Sequence, residues 1–269
     1  PSNFGWNARC VEGGKYYYRD SANGWSFKNA VPGYQTWGTV THGIRVSANS
    51  YLYSMVSKLD LCDISDMANK LHLHDGLGQQ LYDPGLLSAN IGGTRYGATP
   101  LTMASAYATF ASEGKYCEPR PLEKITKGDG SPMKTYESKC EQAISPDIAN
   151  GVSYVLKGVL ASGGSAPKRA IGLPDASAAK TGTNDNSSQT WMVGYTRGLA
   201  TASWVGSNDL GYRSMNGIAI NGRVLEYVDG ATYAGAQWQQ FMQAMAPKYN
   251  TEKFTEPPAS VTSTNVNGN

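Results

Sequence analysis

Three short runs in the second half of the chain, Ala178–Thr183, Trp191–Thr196 and Leu199–Val205, carry the strongest constraint on its fold. They read with a period of two and are separated only by NDNSSQ and by Arg197-Gly198. Connections that short make the three runs antiparallel neighbours, because a parallel return needs a crossover of a dozen residues or more. Upstream the period is helical. Tyr51, Leu52, Met55, Val56 and Leu59 form a stripe of about three turns, and Ile64, Met67, Ala68 and Leu71 mark a helix over 64–72. Thr99-Pro100 opens another that stops at Gly114, and Ser145-Pro146-Asp147 supplies a cap, a first-turn proline and an acid for a helix that ends before Gly163-Gly164. That helix carries Ile148, Val152, Val155, Val159 and Leu160, and a last one covers 231–246. Residues 1–40 read as loops and short strands. The expected fold class is α+β, an antiparallel sheet with flanking helices and a helical subdomain.

Composition removes several alternatives. Of 269 residues, 23 are Lys or Arg and 21 are Asp or Glu, a net charge of +2 with no basic cluster, which excludes a nucleic-acid binder driven by counterion release. No run approaches the ~18 apolar residues of a membrane span. The start, PSNFGWNARC, lacks the basic and apolar regions of a signal peptide and opens in mid-loop, so a fragment is expected. Pro257-Pro258 and SVTSTNVNGN lead to the expectation that 247–269 is an extended or disordered tail.

Four cysteines show no zinc-type spacing. The stretch 116–140 reads as two strands around Lys127-Gly128-Asp129-Gly130, and Cys117 and Cys140 are equidistant from that turn. A Cys117–Cys140 disulfide is expected, with Cys10–Cys62 by elimination; four free thiols are the alternative. Disulfides would imply an oxidising compartment.

The chemistry concentrates at Lys180-Thr181-Gly182-Thr183. Alternation puts Lys180 and Gly182 on one strand face and Thr181 and Thr183 on the other. Gly182 lets an extended ligand lie against the strand, Lys180 supplies charge, and hydroxyls with a backbone N–H can hold a carboxylate or an oxyanion. An ordinary polar surface strand is the competing reading of those four residues alone.

The segment KTGTNDNSSQTWMVGYTRGLATASWVG resembles the closing strands of a penicillin-binding protein transpeptidase domain, most of all the class A, bifunctional kind. RVSANSYLYSMVSKL resembles that family's Ser-x-Asn helix, YGATPLTMASAYATFASEGKYCEPRPL its following helix and hairpin, and ISPDIANGVSYVLKGVL the helix before Lys-Thr-Gly. The resemblance makes 1–246 a partial transpeptidase domain with a fold like that of serine β-lactamases. Ser-x-Asn also fits Ser21-Ala22-Asn23, Ser88-Ala89-Asn90 and Ser263-Thr264-Asn265, but only Ser47-Ala48-Asn49 opens an amphipathic helix.

The departure is the nucleophile. Ser112–Lys115, Ser131–Lys134, Ser165–Lys168 and Ser177–Lys180 match Ser-x-x-Lys, yet none opens a helix and all follow Ser47, the wrong order for the family. The acylated serine is therefore expected before Pro1, on a missing or separate segment; a pseudoenzyme is the alternative.

The resemblance implies acyl transfer from D-alanyl-D-alanine stem peptides, with β-lactams as mimics and no cofactor or metal. Ser47 would relay a proton, Asn49 would orient substrate, Lys180 would keep the field positive, and Thr181 and Thr183 would bind the carboxylate. It also implies the extracytoplasmic face of a bacterial membrane, with the anchor on a segment absent here. A D,D-carboxypeptidase or β-lactamase, and a non-catalytic peptidoglycan-binding module, compete with this reading. His42, His72 and His74 read as surface or loop residues. Tyr16-Tyr17-Tyr18, Trp25 and Trp37 read as packing before a groove lining, and Asn186-Ser187-Ser188 is a discounted glycosylation pattern.

Overall fold

The computed structural model describes residues 29, 38–56, 58–84, 86, 88–207, 213–220 and 222–262, and the backbone alone of 9–12, 15–18 and 87. The three period-two runs are strands β7 (Ala178–Thr183), β8 (Gln189–Thr196) and β9 (Leu199–Gly206), antiparallel and in the order β7-β8-β9. Register pairs Lys180 with Val193 and Gly194 with both Ala179 and Thr201. Ahead of them come β1 (Arg9–Glu12), β2 (Lys15–Tyr18), α1 (Val40–Arg45), α2 (Asn49–Val56), α3 (Leu61–Lys70) and α4 (Pro100–Ala111). A disulfide-bearing ribbon of β3 (Lys115–Cys117), β4 (Lys124–Thr126), β5 (Pro132–Thr135) and β6 (Cys140–Gln142) follows, then α5 (Pro146–Leu160). The small hairpin β10 (Ala219–Ile220) and β11 (Arg223–Val224), α6 (Tyr233–Met245) and α7 (Ala259–Thr262) complete the described elements. Helices and antiparallel sheets together make the α+β class expected from the sequence.

The sheet is covered on both faces, which is why β8 is almost continuously buried. On one side, Ser203 donates to Gln237 of α6 at 2.7 Å, and Trp238 and Met242 of α6 are fully buried. On the other, the Tyr195 ring lies 6.0 Å from Tyr107 of α4, and its hydroxyl is 2.9 Å from that of Ser153 of α5. One core joins Leu156, Val159 and Leu160 with Ala178, Met192, Tyr195 and Trp238. Gly194 makes the α6 packing possible: a Cβ there would stand 2.6 Å from both Trp238 Cζ2 and Ala179 Cβ.

Several expectations shift on contact with tertiary structure. The stripe expected to reach Leu59 ends as helix at Val56, and Leu59 is exposed. The cause is Asp60, which stays extended so that its carboxylate can accept from Cys62 N at 2.8 Å and start α3 at Leu61 rather than 64. Helix α5 begins as expected, with Ser145 accepting from Ile148 N. Of its expected stripe, Val159 and Leu160 are buried and Val152 packs against the main core, while Ile148 is exposed; Ala149, Ser153 and Leu156 complete the buried face.

The 116–140 ribbon keeps its expected outer register, with Cys117 opposite Cys140 and the two joined as a disulfide. A bulge at Ile125/Thr126 puts the inner ladder out of step. Cys62 is also disulfide-bonded; the side chain of its expected partner, Cys10, lies outside the described residues.

The tail expected from composition to be loose is held over its first half. Phe254 enters the main core, Gly198 N donates to Asn250 O at 2.9 Å, and Arg197 bonds both Glu113 at 2.7 Å and Thr255 at 2.5 Å. Hydrogen bonds from Thr255 and Arg197 hold the Glu113 carboxyl below its usual range. Residues 263–269 lie outside the described residues. Replacing Gly194 with Ala is expected to destabilise the protein by roughly 2–4 kcal/mol, since neither Trp238 nor Ala179 has room to retreat. Urea unfolding monitored by tryptophan fluorescence measures it, and an unchanged midpoint would contradict this packing.

Candidate active site

The site forms where the α1–α2 corner meets the edge strand β7. Helix α1 opens on Thr39, whose hydroxyl accepts from His42 N at 3.1 Å, and closes with a Schellman pair: Ser47 N donates to Ile44 O and Ala48 N to Gly43 O. In that motif the residue after the cap adopts the left-handed conformation, a place normally given to glycine. Here it is Ser47, at φ 58°. Holding a side chain there costs about 1–3 kcal/mol, and the return is a fixed hydroxyl at the corner. Asn49 then starts α2, and Asn29 accepts from Ser50 N at 3.0 Å while donating to Ser50 Oγ at the same distance. Ser47-Ala48-Asn49 thus sits between two helices rather than simply opening one.

Strand β7 brings Lys180 to this corner. Its ammonium donates to Ser47 Oγ at 2.7 Å and to the Thr181 carbonyl at 2.9 Å. Residues 133 positions apart in sequence therefore share one hydrogen bond. Desolvation lowers the Lys180 pKa from its ordinary value to about 8. The amine is then mainly charged at neutral pH but close enough to neutrality to exchange a proton. With Ser47 accepting from Lys180, the serine proton is left to be given elsewhere, so the pair can act as a relay.

The rest of β7 is held in place by its neighbours. Thr181 Oγ1 lies 3.2 Å from Ser165 Oγ, and Thr183 Oγ1 accepts from Gly230 N at 2.9 Å. Gly230 lies directly against Gly182: a Cβ on Gly230 would come within 2.6 Å of Gly182 O and 2.4 Å of Trp191 O. The strand therefore offers a charge, two hydroxyls and a bare backbone step within four residues. Sequence reasoning singled out Ser47, Asn49, Lys180, Thr181, Gly182 and Thr183. It missed Asn29, Arg45, Ser165 and Gly230, whose roles come from contacts across long sequence gaps.

The competing strings fall to local duties. Ser88 Oγ donates to Gly93 O, and Asn90 accepts from Tyr82, so that Ser-x-Asn closes a turn. Ser21–Asn23 and Ser263–Asn265 lie outside the described residues. Ser112 bonds the end of α4, Ser131 bonds Asp129, and Ser177 donates to Leu173 O. Ser165 does border the site, but its Lys168 is exposed on a short 3-10 turn. The histidines are similarly occupied. His42 meets Tyr51 edge-on, His72 stacks on Tyr116 and pairs with Glu141 at 2.9 Å, and His74 bonds Asp75 O. Asn186 accepts from Ser188 N within the β7–β8 turn. The side chains of Tyr16, Tyr17, Tyr18, Trp25 and Trp37 lie outside the described residues. No described helix is long and apolar enough to cross a membrane.

Comparison with known proteins identifies the family. The penicillin binding protein transpeptidase domain family matches residues 10–251. Penicillin-binding protein 1A of Aquifex aeolicus is 24% identical over 248 residues, covering 91% of this chain and 31% of that protein. Its namesake from Mycolicibacterium smegmatis is 30% identical over 186 residues, 64% of this chain and 23% of that one. The chain thus spans a third or less of these relatives' length. Among solved structures, PonA1 of Mycobacterium tuberculosis superposes with a TM-score of 0.68 at 22% identity, covering 94% of this chain and 65% of that one. Penicillin-Binding Protein 1A from Haemophilus influenzae gives 0.70 at 20%, covering 94% and 40%. PonA1 has also been solved in complex with penicillin V, at a TM-score of 0.66. With the family model matching nearly all of it, the chain belongs to the penicillin-binding protein transpeptidase domain family.

Proposed function

We propose that this chain builds two walls of a D,D-transpeptidase site that cross-links peptidoglycan stem peptides by serine acyl transfer and is acylated by β-lactams. The observation that carries the reading is the 2.7 Å bond between Lys180 and Ser47. It joins a relay hydroxyl to a cation at the mouth of a strand able to hold an extended peptide. Family membership supports it, as do the penicillin V complex of PonA1 and the imipenem acyl-enzyme complex of penicillin-binding protein A from M. tuberculosis, a neighbour with a TM-score of 0.55.

In this reading the donor peptide lies along β7 with its terminal carboxylate on the Thr181 and Thr183 hydroxyls, drawn in by the Lys180 charge. Asn49 hydrogen-bonds the donor amide. Ser47 passes a proton to the departing D-alanine and recovers one through Lys180. The Thr183 N–H contributes to the oxyanion hole, a term of a few kcal/mol in such enzymes. The acylated serine and its lysine come from a segment outside residues 1–269, since each Ser-x-x-Lys string within them has another duty. A fold whose Cys117–Cys140 bridge is formed suits an oxidising, extracytoplasmic setting, with the membrane anchor also outside this chain.

Intact mass spectrometry of the full-length protein after penicillin treatment tests the reading. A stable adduct is expected, and its absence would leave a non-catalytic binding module. Ser47→Ala and Lys180→Ala should each slow acylation more than tenfold, general acid–base and electrostatic effects being of that size or larger. Near-normal labelling of both variants would remove these residues from the site.

The pH dependence has a defined sign. Lys180 carries its charge below about 8 and loses it above, whereas a free lysine does so near 10.4. Acylation by an anionic β-lactam should therefore fall as the pH rises through about 8. A rate still level at pH 10 would contradict the role given to the ammonium.

A further inference from the structure

The 162–165 turn at the end of α5 is gripped on one side and touches the site on the other. Ser165 N donates to the Arg45 carbonyl at 2.9 Å, and Arg45 Nη2 donates to Ser162 O. The Arg45 stem lies against α5, with its Cδ 3.3 Å from where a Cβ on Gly158 would stand. From the same turn, Ser165 Oγ reaches Thr181 Oγ1 at 3.2 Å. Arg45 lies two residues before Ser47, and Thr181 directly follows Lys180. These contacts and the Lys180–Ser47 bond therefore close a ring through three segments: the α1–α2 corner, the 162–165 turn and β7.

We propose that Ser165 is a positioning residue for the donor's carboxylate, acting through Thr181, with Arg45 holding the turn that presents it. The inference rests on the reading of Thr181 as a carboxylate-binding hydroxyl. The donor direction follows from chemistry. An ionised carboxylate only accepts, so Thr181 must give it the hydroxyl proton. In the hydroxyl pair Thr181 is then the acceptor and Ser165 the donor. A donor behind Thr181 fixes its rotamer and polarises the O–H aimed at the anion. Without it, the β-branched side chain keeps its place but loses the partner that orients its hydroxyl.

The test compares acylation of the full-length protein by benzylpenicillin and by its methyl ester, which lacks the anionic carboxylate. For Ser165→Ala the ratio of the two second-order rate constants should fall about fivefold to tenfold, the equivalent of one hydrogen bond between neutral groups. Ser165→Thr, which keeps the hydroxyl, should restore most of it. A ratio unchanged in Ser165→Ala overturns the proposal, whether both rates hold or both fall together, because a merely structural loss lowers them alike. Should the alanine variant fail to fold, Ser165→Cys keeps the unbranched shape and a weak donor in a slightly larger side chain and is read in the same way. Failure of the underlying reading looks different: the wild-type protein itself would take up neither compound, or would take up both at similar rates.

Discussion

A single hydrogen bond between a lysine on an edge strand and a serine at a helix corner sets what the rest of the structure must deliver. A bond of 2.7 Å tolerates little error, so both partners need rigid supports. The strand is fixed by a sheet enclosed between α6 and the α4–α5 pair, with Gly194 allowing Trp238 to seat against it. The corner is fixed by the Schellman pair that ends α1 and by Asn29, which caps the α2 backbone from a distant part of the chain. Secondary structure alone would place neither group to within the width of a hydrogen bond. The packing of three layers does.

Both partners are held at a cost. Ser47 occupies a left-handed backbone position that would suit glycine better, and Lys180 gives up water, as its lowered pKa records. Each would be removed by selection for stability alone. Their coincidence at one point supports the proposed site, since strain and desolvation gather where chemistry uses them. The same desolvation that weakens the charge of Lys180 brings its pKa to about 8, so in the proposed mechanism it trades some attraction for the ability to exchange protons near neutral pH.

Much of this architecture was legible in the sequence where the signal was local. The period-two runs gave β7–β9 and their antiparallel order, and Ser145-Pro146 gave the start of α5. The Lys127–Gly130 turn gave the pairing of Cys117 with Cys140. Lys180 and Ser47 were nominated by motif resemblance, but nothing local could state their separation. What stayed hidden depends on contacts across long stretches of chain. Ser165 lies in a Gly-rich turn whose letters suggest only flexibility, and its meaning comes from Arg45 and Thr181. The tail composition pointed to an extended or disordered segment and could not say that Phe254 and the Arg197–Glu113–Thr255 cluster tie its first half to the core. The C-terminal half of the α5 stripe, Val159 and Leu160, was legible as core, whereas the buried Ala149 and Ser153 gave no apolar signal because they are small or polar.

The central claim is that Ser47 and Lys180 work as one unit. A double-mutant cycle tests it most directly, using second-order penicillin acylation rates of the full-length protein with Ser47→Ala, Lys180→Met and both together. The account predicts strong non-additivity, the double variant being little slower than the worse single one, as expected for groups in direct contact. Two losses that simply multiply would mean the residues act independently, and the bond at the corner would then not be the basis of the site.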